Sequence, residues 1–207
     1  AGMTIVGAVW VAKALPQSRS FTANPNFRSA IQMLGAHLTD RYVVTACLLG
    51  ACVLFSLVGC FTFINLHLAN TPYELSTGQL ANIFAVYLIG VVITPLTTSL
   101  LNRFGSARTI QVAVVVSMLG VLLTLMAPLW IIVTGLAVMS SGVFVTQAAT
   151  ISYIAVNVKK GRSLASGLYY MGYYAGGTIG AWLCGIAYTH GQWSLTVWLL
   201  LSVQVLA

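Results

Sequence analysis

Long apolar stretches separated by short polar ones run through almost the whole chain. Those at roughly 43–66, 79–101, 109–127, 130–157 and 164–188 each reach the ~20 residues that an α-helix needs to cross the hydrocarbon core of a bilayer. The pattern predicts five complete transmembrane helices. Two shorter apolar stretches flank them. Residues 1–12, AGMTIVGAVWVA, read as the end of a helix, while residues 194–207, SLTVWLLLSVQVLA, stay apolar to the last position yet are too short to cross. The expected fold is all-α: a polytopic membrane helix bundle with a partial helix at each end, read as a fragment cut inside both of those helices. Lys13 follows the first apolar stretch instead of preceding it, which is the wrong order for a secretory signal peptide.

The connection over 13–42 differs from the others. It is long and polar, contains Pro16 and Pro25, and reads as a loop joining two halves of a larger protein. A short interfacial helix is expected within it, from Phe27 to Leu38. The chain thus divides into 1–12, the end of one helix; 13–42, a central loop; and 43–207, a helical repeat whose last member is truncated.

Composition strengthens the bilayer assignment. The chain is 5% charged and 59% hydrophobic, where a soluble domain is about a quarter charged. The net charge of +7 does not point to nucleic acid, because the basic residues lie in three short segments between apolar runs. Lys13, Arg19, Arg28 and Arg41 occupy the first connection, Arg103 and Arg108 the third, and Lys159, Lys160 and Arg162 the fifth. The alternate connections carry none: LHLANTPYELSTG has Glu74, APLW is neutral and THGQW has His190. All nine basic residues therefore fall on one side of the membrane, and the Lys/Arg excess marks that side as cytoplasmic. The location expected is the cell inner (plasma) membrane.

Candidate chemistry lies in polar stripes inside the spans. Association in lipid relies on close packing and interhelical hydrogen bonds, so small and polar residues mark buried faces. Cys52, Ser56, Gly59, Cys60 and Phe63 share a face of 43–66. In 79–101, Tyr87, Gly90, Thr94 and Thr98 align, and Pro95 is expected to bend the helix. Thr146, Thr150, Tyr153 and Asn157 align in 130–157, with Gln147 beside Thr150. Gly172, Gly176 and Gly180 form two overlapping GxxxG steps in 164–188, on the face of Tyr169 and Tyr173. Such glycines favour helix packing, whereas uncharged hydrogen-bonding groups at mid-membrane depth suit a water-filled pathway or a polar ligand. The span 109–127 is nearly all aliphatic, with Gln111, Ser117 and Thr124 its main polar residues, and is expected to face lipid.

No Asp, Glu, Lys, Arg or His lies inside a complete span. An intramembrane charge would mark proton or ion coupling, so any such carboxylate lies outside this sequence. Cys47, Cys52, Cys60 and Cys184 form no CxxC pair and read as small core residues. No metal or other cofactor is expected.

The loop TSLLNRFGSAR resembles the echo of the signature loop of the major facilitator superfamily, Gly-x-x-x-Asp-Arg-x-Gly-x-x-Arg. Arg103, Gly105 and Arg108 match, while Thr98 stands at the first Gly and Asn102 at the Asp. The stretch GRSLASGLYYMGYYAGGTIGAWL resembles the turn into helix eleven of bacterial efflux members, of the YnfM-like kind, and ALPQSRSF suits their central loop. The resemblance implies the second half of a transporter of that superfamily: helix six ending at 12, helices seven to eleven complete, and helix twelve begun. It implies proton-coupled efflux of a small organic solute by alternating access, with the N-terminal half of the same transporter and the lipid bilayer as partners. Ser56, Phe63, Tyr87, Gln147, Thr150, Tyr153, Tyr169 and Tyr173 become the residues expected nearest the pathway. Asn102, Arg103, Gly105, Arg108 and Arg162 become gate-loop residues, with Asn102 unable to form the ion pair an Asp would.

Two other classes compete. Ser140, Ser141 and Gly142 with His190 invite comparison with rhomboid proteases, but Met139 replaces the first glycine of the Gly-x-Ser-Gly context and His190 falls in an outer loop. A channel or structural membrane subunit would usually show a charged or carbonyl ring, and the sequence offers none.

Overall fold

A computed structural model describes residues 2–14 and 27–207. These belong to two compact units, one through Leu34 and one from Gly35 onward. Arg19, Pro16 and Pro25 lie outside the described residues, as do the side chains of Lys13 and Arg28. In the first unit, helix α1 (Gly2–Ala14) covers the expected partial helix and exposes Ile5, Val6 and Trp10. Helix α2 (Phe27–Thr39) forms where the short interfacial helix is expected.

The second unit carries the candidate site. Its elements are α3 (Arg41–Ala69), α4 (Thr77–Ile83), a 3-10 turn (Phe84–Leu88), α5 (Ile89–Leu123), α6 (Leu129–Asn157) and α7 (Arg162–Val205). No strand occurs among the described residues. Asp40 caps α3 by accepting a 2.8 Å bond from the Tyr42 N–H. Ser76 and Gln79 form a reciprocal capping box at α4, which occupies N–H groups that a helix start leaves free.

Three helices, rather than five, are long and apolar enough to cross a membrane: Arg41–Ala69, the run Thr77–Leu123 and Leu129–Asn157. The difference has two causes. The predicted spans 79–101 and 109–127 are the two limbs of one long run, broken at Gly105 (φ 74°, ψ 168°). The span 164–188 is rich in Gly and Tyr, which lowers its hydropathy, and it lies in α7, itself broken at Gly191 and Gln192.

Both breaks reverse the chain. Ile93 and Val116 line one groove, although a continuous helix would hold them roughly 35 Å apart. Cys184 and Leu200 both meet Gly59 of α3, which an unbroken α7 could not allow. Left-handed φ is open to glycine without steric penalty, so Gly105 makes its break in a single residue.

Two helix pairs dominate the packing, α3 with α7 and α5 with α6. Gly172, Gly176 and Gly180 of α7 lie on Cys47, Ala51 and Phe55 of α3. A Cβ at Gly172 would stand 2.9 Å from the Cys47 carbonyl oxygen, and one at Gly180 would stand 2.7 Å from that of Phe55. The α5–α6 pair repeats the device: Gly135 meets the Gly120 carbonyl, and Gly142 meets Ala113 and Ser117. Between the pairs, Cys60, Ile64, Leu68, Leu136, Met139 and Leu200 are fully buried.

Candidate transport site

The 3-10 turn before α5 sets the first wall of the site. It places Tyr87 with its ring 4.3 Å from Phe61 of α3 and 6.1 Å from Phe144 of α6. Gly90 permits this, since any side chain there would strike Phe144. Tyr87 also neighbours Cys60 and Tyr173, and Gln147 of α6 faces the Tyr173 hydroxyl. One amide and two phenol groups, carried by three different elements, thus lie in one region of the bundle near α3. These groups bind by hydrogen bonding and ring stacking, without formal charge.

The other expected pathway residues each have surroundings of their own. Ser56 is buried beside a cavity of ≈20 Å³ shared with Ser117, Thr146 and Gln204. Gln204 Nε2 donates to Ser117 Oγ at 3.0 Å, whereas Gln204 Oε1 and Ser56 Oγ have no partner. That volume and those groups suit one water molecule. Thr150 is fully buried and donates to the Thr146 carbonyl at 2.7 Å, as Thr146 does to Gly142 at 2.8 Å. Both hydroxyl protons are thereby held within α6. Tyr169 is fully buried against Gly50, its hydroxyl without a partner.

Phe63 and Tyr153 stand apart from the centre, at opposite ends of the helices. Phe63 packs against Tyr188, with ring centroids 5.6 Å apart and tilted. Tyr153 packs on Tyr42 at 5.9 Å, whose hydroxyl accepts a 2.8 Å bond from Arg41. Ser141 donates to the Ala137 carbonyl, and the His190 ring meets the Ile186 carbonyl and the Thr189 hydroxyl. Each of these two residues is thus engaged within its own helix.

At the gate loop, Gly105 forms the break and Thr109 Oγ1 donates to its carbonyl at 2.7 Å. Asn102, Arg103 and Arg108 are exposed. The arginine that reaches a helix-end carbonyl is Arg162, whose Nε donates to Val158 at 2.8 Å. That bond joins the end of α6 to the start of α7.

Two further groups complete the picture: Tyr170, which the sequence left open between an interfacial anchor and the cavity, and the Ser117–Gln204 bond. Tyr170 and Tyr174 are 42% and 65% exposed, and with exposed Thr178 they form an i, i+4, i+8 stripe on the face of α7 turned away from α3. Its signal was the doubled tyrosine in YYMGYY: the glycine face carrying Tyr169 and Tyr173 packs on α3, so the adjacent tyrosines are left free. The Ser117–Gln204 bond joins α5 to the last limb of α7, and no local pattern announces it. Among the described residues, no cluster of His, Cys, Asp and Glu could hold a metal ion.

The chain is 26% identical over 86% of its length to an uncharacterised transporter of Buchnera aphidicola subsp. Schizaphis graminum, covering 44% of that protein. It is 23% identical over 99% of its length to a second, of Buchnera aphidicola subsp. Baizongia pistaciae, covering 53%. It is also 27% identical over 86% to an uncharacterised MFS-type transporter, YybF, of Bacillus subtilis, covering 45%. The chain thus spans about half the length of the curated relatives it matches. The family model described as Major Facilitator Superfamily matches residues 63–207, which includes the Gly105 break, the Tyr87–Gln147–Tyr173 centre and the glycine stripe of α7. On that match, and with apolar helices paired through small residues around a polar centre, the chain belongs to the Major Facilitator Superfamily of multi-pass membrane transporters.

Proposed function

We propose that this chain is the C-terminal half of a secondary active transporter that moves a small organic solute by alternating access, as a proton-coupled exporter of the YnfM-like kind. Five segments cross the inner membrane in this reading: α3, the two limbs of the Thr77–Leu123 run, α6 and the first limb of α7. Their basic connections are cytoplasmic. The N-terminal half of the same transporter closes the other side of the cavity. The observation that supports the proposal is the family match over residues 63–207, within which Tyr87, packed on Phe61 and Phe144, shares a region of the bundle with Gln147 and Tyr173. Uncharged hydrogen-bonding groups at this depth hold a polar solute without the desolvation penalty of an ion. Ser56 and Thr150 back this centre, Tyr169 supports it from the α3 side, and Phe63 and Tyr153 stand toward its two ends. The break at Gly105 and the Arg162 bond to Val158 give the gate loops fixed geometry about which the halves rock, with Asn102, Arg103 and Arg108 on the exposed edge.

The test is flux through the purified transporter in proteoliposomes, screened over small organic solutes under an imposed pH gradient. Saturable flux with counterflow is expected, collapsing when a protonophore removes the gradient. Gln147→Leu removes one hydrogen-bonding group and is expected to raise KM about tenfold. Non-saturating flux without counterflow would make the protein a channel, and flux that survives the protonophore would remove proton coupling.

A further inference from the structure

A second cavity lies away from the polar centre. It is a groove of ≈450 Å³ between the two limbs of α5 and α6, and none of the expected pathway residues lines it. Its walls are apolar, formed by residues such as Leu100, Phe104, Val112, Val116 and Val145, and Arg108 stands at its rim. From Arg108 to Val116 the groove runs about 12 Å along the helix axis. It opens on the outer face of α5, where Val112, Val115 and Leu119 are 54–64% exposed. A second guanidinium lies at the same mouth: Arg103 sits 5.3 Å above the ring of Phe104, itself part of the wall.

Among the described residues, these two cations have no counter-charge beside them. The sequence has two acidic residues; Asp40 caps α3, and Glu74 lies in the connection at the opposite end of the helices. Among the described residues, neither guanidinium makes a hydrogen bond or ion pair. A free anion would satisfy the arginines and leave the groove bare, whereas a zwitterionic lipid would fill the groove and leave a net positive charge at its mouth. We infer that the groove holds one acyl chain of an anionic phospholipid whose phosphate lies between Arg103 and Arg108. The site rests on the membrane setting and is independent of which solute the transporter moves.

The test titrates the purified, delipidated protein with phosphatidylglycerol, with phosphatidylcholine of the same chains, and with inorganic phosphate, counting bound copies by native mass spectrometry. One copy of phosphatidylglycerol is expected to persist where neither of the others is retained. Arg108→Gln is expected to weaken that copy about fivefold, the loss of one cation near an anionic surface. Val112→Trp fills the groove from an exposed position without touching charge, and is expected to weaken it as well. Thermal unfolding of both variants separates a lost site from a lost fold. Equal retention of the two lipids, retention of phosphate alone, or undiminished phosphatidylglycerol binding by a folded Arg108→Gln or Val112→Trp variant would overturn the inference. Because lipid retention is the readout, failure here leaves the transport reading intact, and absent flux leaves the lipid site intact.

Discussion

Trp193 shows how single residues tie this bundle together. It is buried, and its indole N–H donates to both the carbonyl (3.1 Å) and the hydroxyl (3.2 Å) of Thr124, also buried. Its ring stacks on His67 at 6.0 Å. Trp193→Phe leaves two buried acceptors without a donor, which costs about 1 kcal/mol. A fall of about 2–4 °C in the thermal midpoint of the purified protein is expected. Thr124→Val removes one of the two acceptors and should fall less; an unchanged midpoint for Trp193→Phe would show that the bond contributes nothing. At this scale the sequence was only partly legible. The aliphatic span 109–127 does present Val112, Val115 and Leu119 outward, but its polar residues Ser117 and Thr124 turn inward to Gln204 and Trp193. Those partners lie across the bundle, and periodicity within one helix carries no record of them. The tyrosines give a similar lesson: spacing alone aligns Tyr169 and Tyr173, but only the α3 contact tells which tyrosines remain free.

Between elements, glycine decides how closely helices approach. The main chain of Ala51 occupies the space that a Cβ at Gly176 would need, and main chain cannot swing aside as a side-chain tip can. Gly176→Ala should therefore push α7 from α3 and destabilise the protein by about 1–3 kcal/mol. Gly167 lies in the same helix with nothing near its missing Cβ, so Gly167→Ala should be neutral or slightly stabilising, since alanine is the better helix former. Paired unfolding curves check this, and equal midpoints for the two variants would refute the packing argument. Element ends were the more legible part of the sequence, because the breaks are chemically marked: Gly105 lies between two arginines, and Gly191 follows the polar run Tyr188, Thr189 and His190. The tightness of the reversals was not legible, since a single residue of unusual φ suffices to turn the chain at Gly105. Pro95 keeps the helical backbone on either side of it. It sits within α5 among helical backbone angles, and the irregular stretch is the 3-10 turn before it.

For the molecule as a whole, the reversals at Gly105 and Gly191–Gln192 sort the connections to two ends. Arg41, Arg103, Arg108 and Arg162 begin or end helices at one of them. At the other, Tyr73 donates to the Ala127 carbonyl at 2.7 Å and Trp193 donates to Thr124, so three connections are bound together where no lysine or arginine occurs. This asymmetry was readable from the sequence because charge is the one property a membrane sorts without reference to packing. Lys and Arg near helix ends are retained on the cytoplasmic side, so the tied end should face outward. Single cysteines placed by Glu74→Cys and Lys160→Cys make the arrangement measurable, because both positions are exposed. The native cysteines lie within α3 and α7, away from the aqueous phases that a membrane-impermeant maleimide reaches. Position 74 should label in intact cells, and position 160 only after permeabilisation. The opposite order would invert the molecule and place the proposed lipid groove in the outer leaflet. Labelling of both positions from one side would mean an even number of crossings between them, against the three that α4 with the first limb of α5, the second limb of α5, and α6 provide.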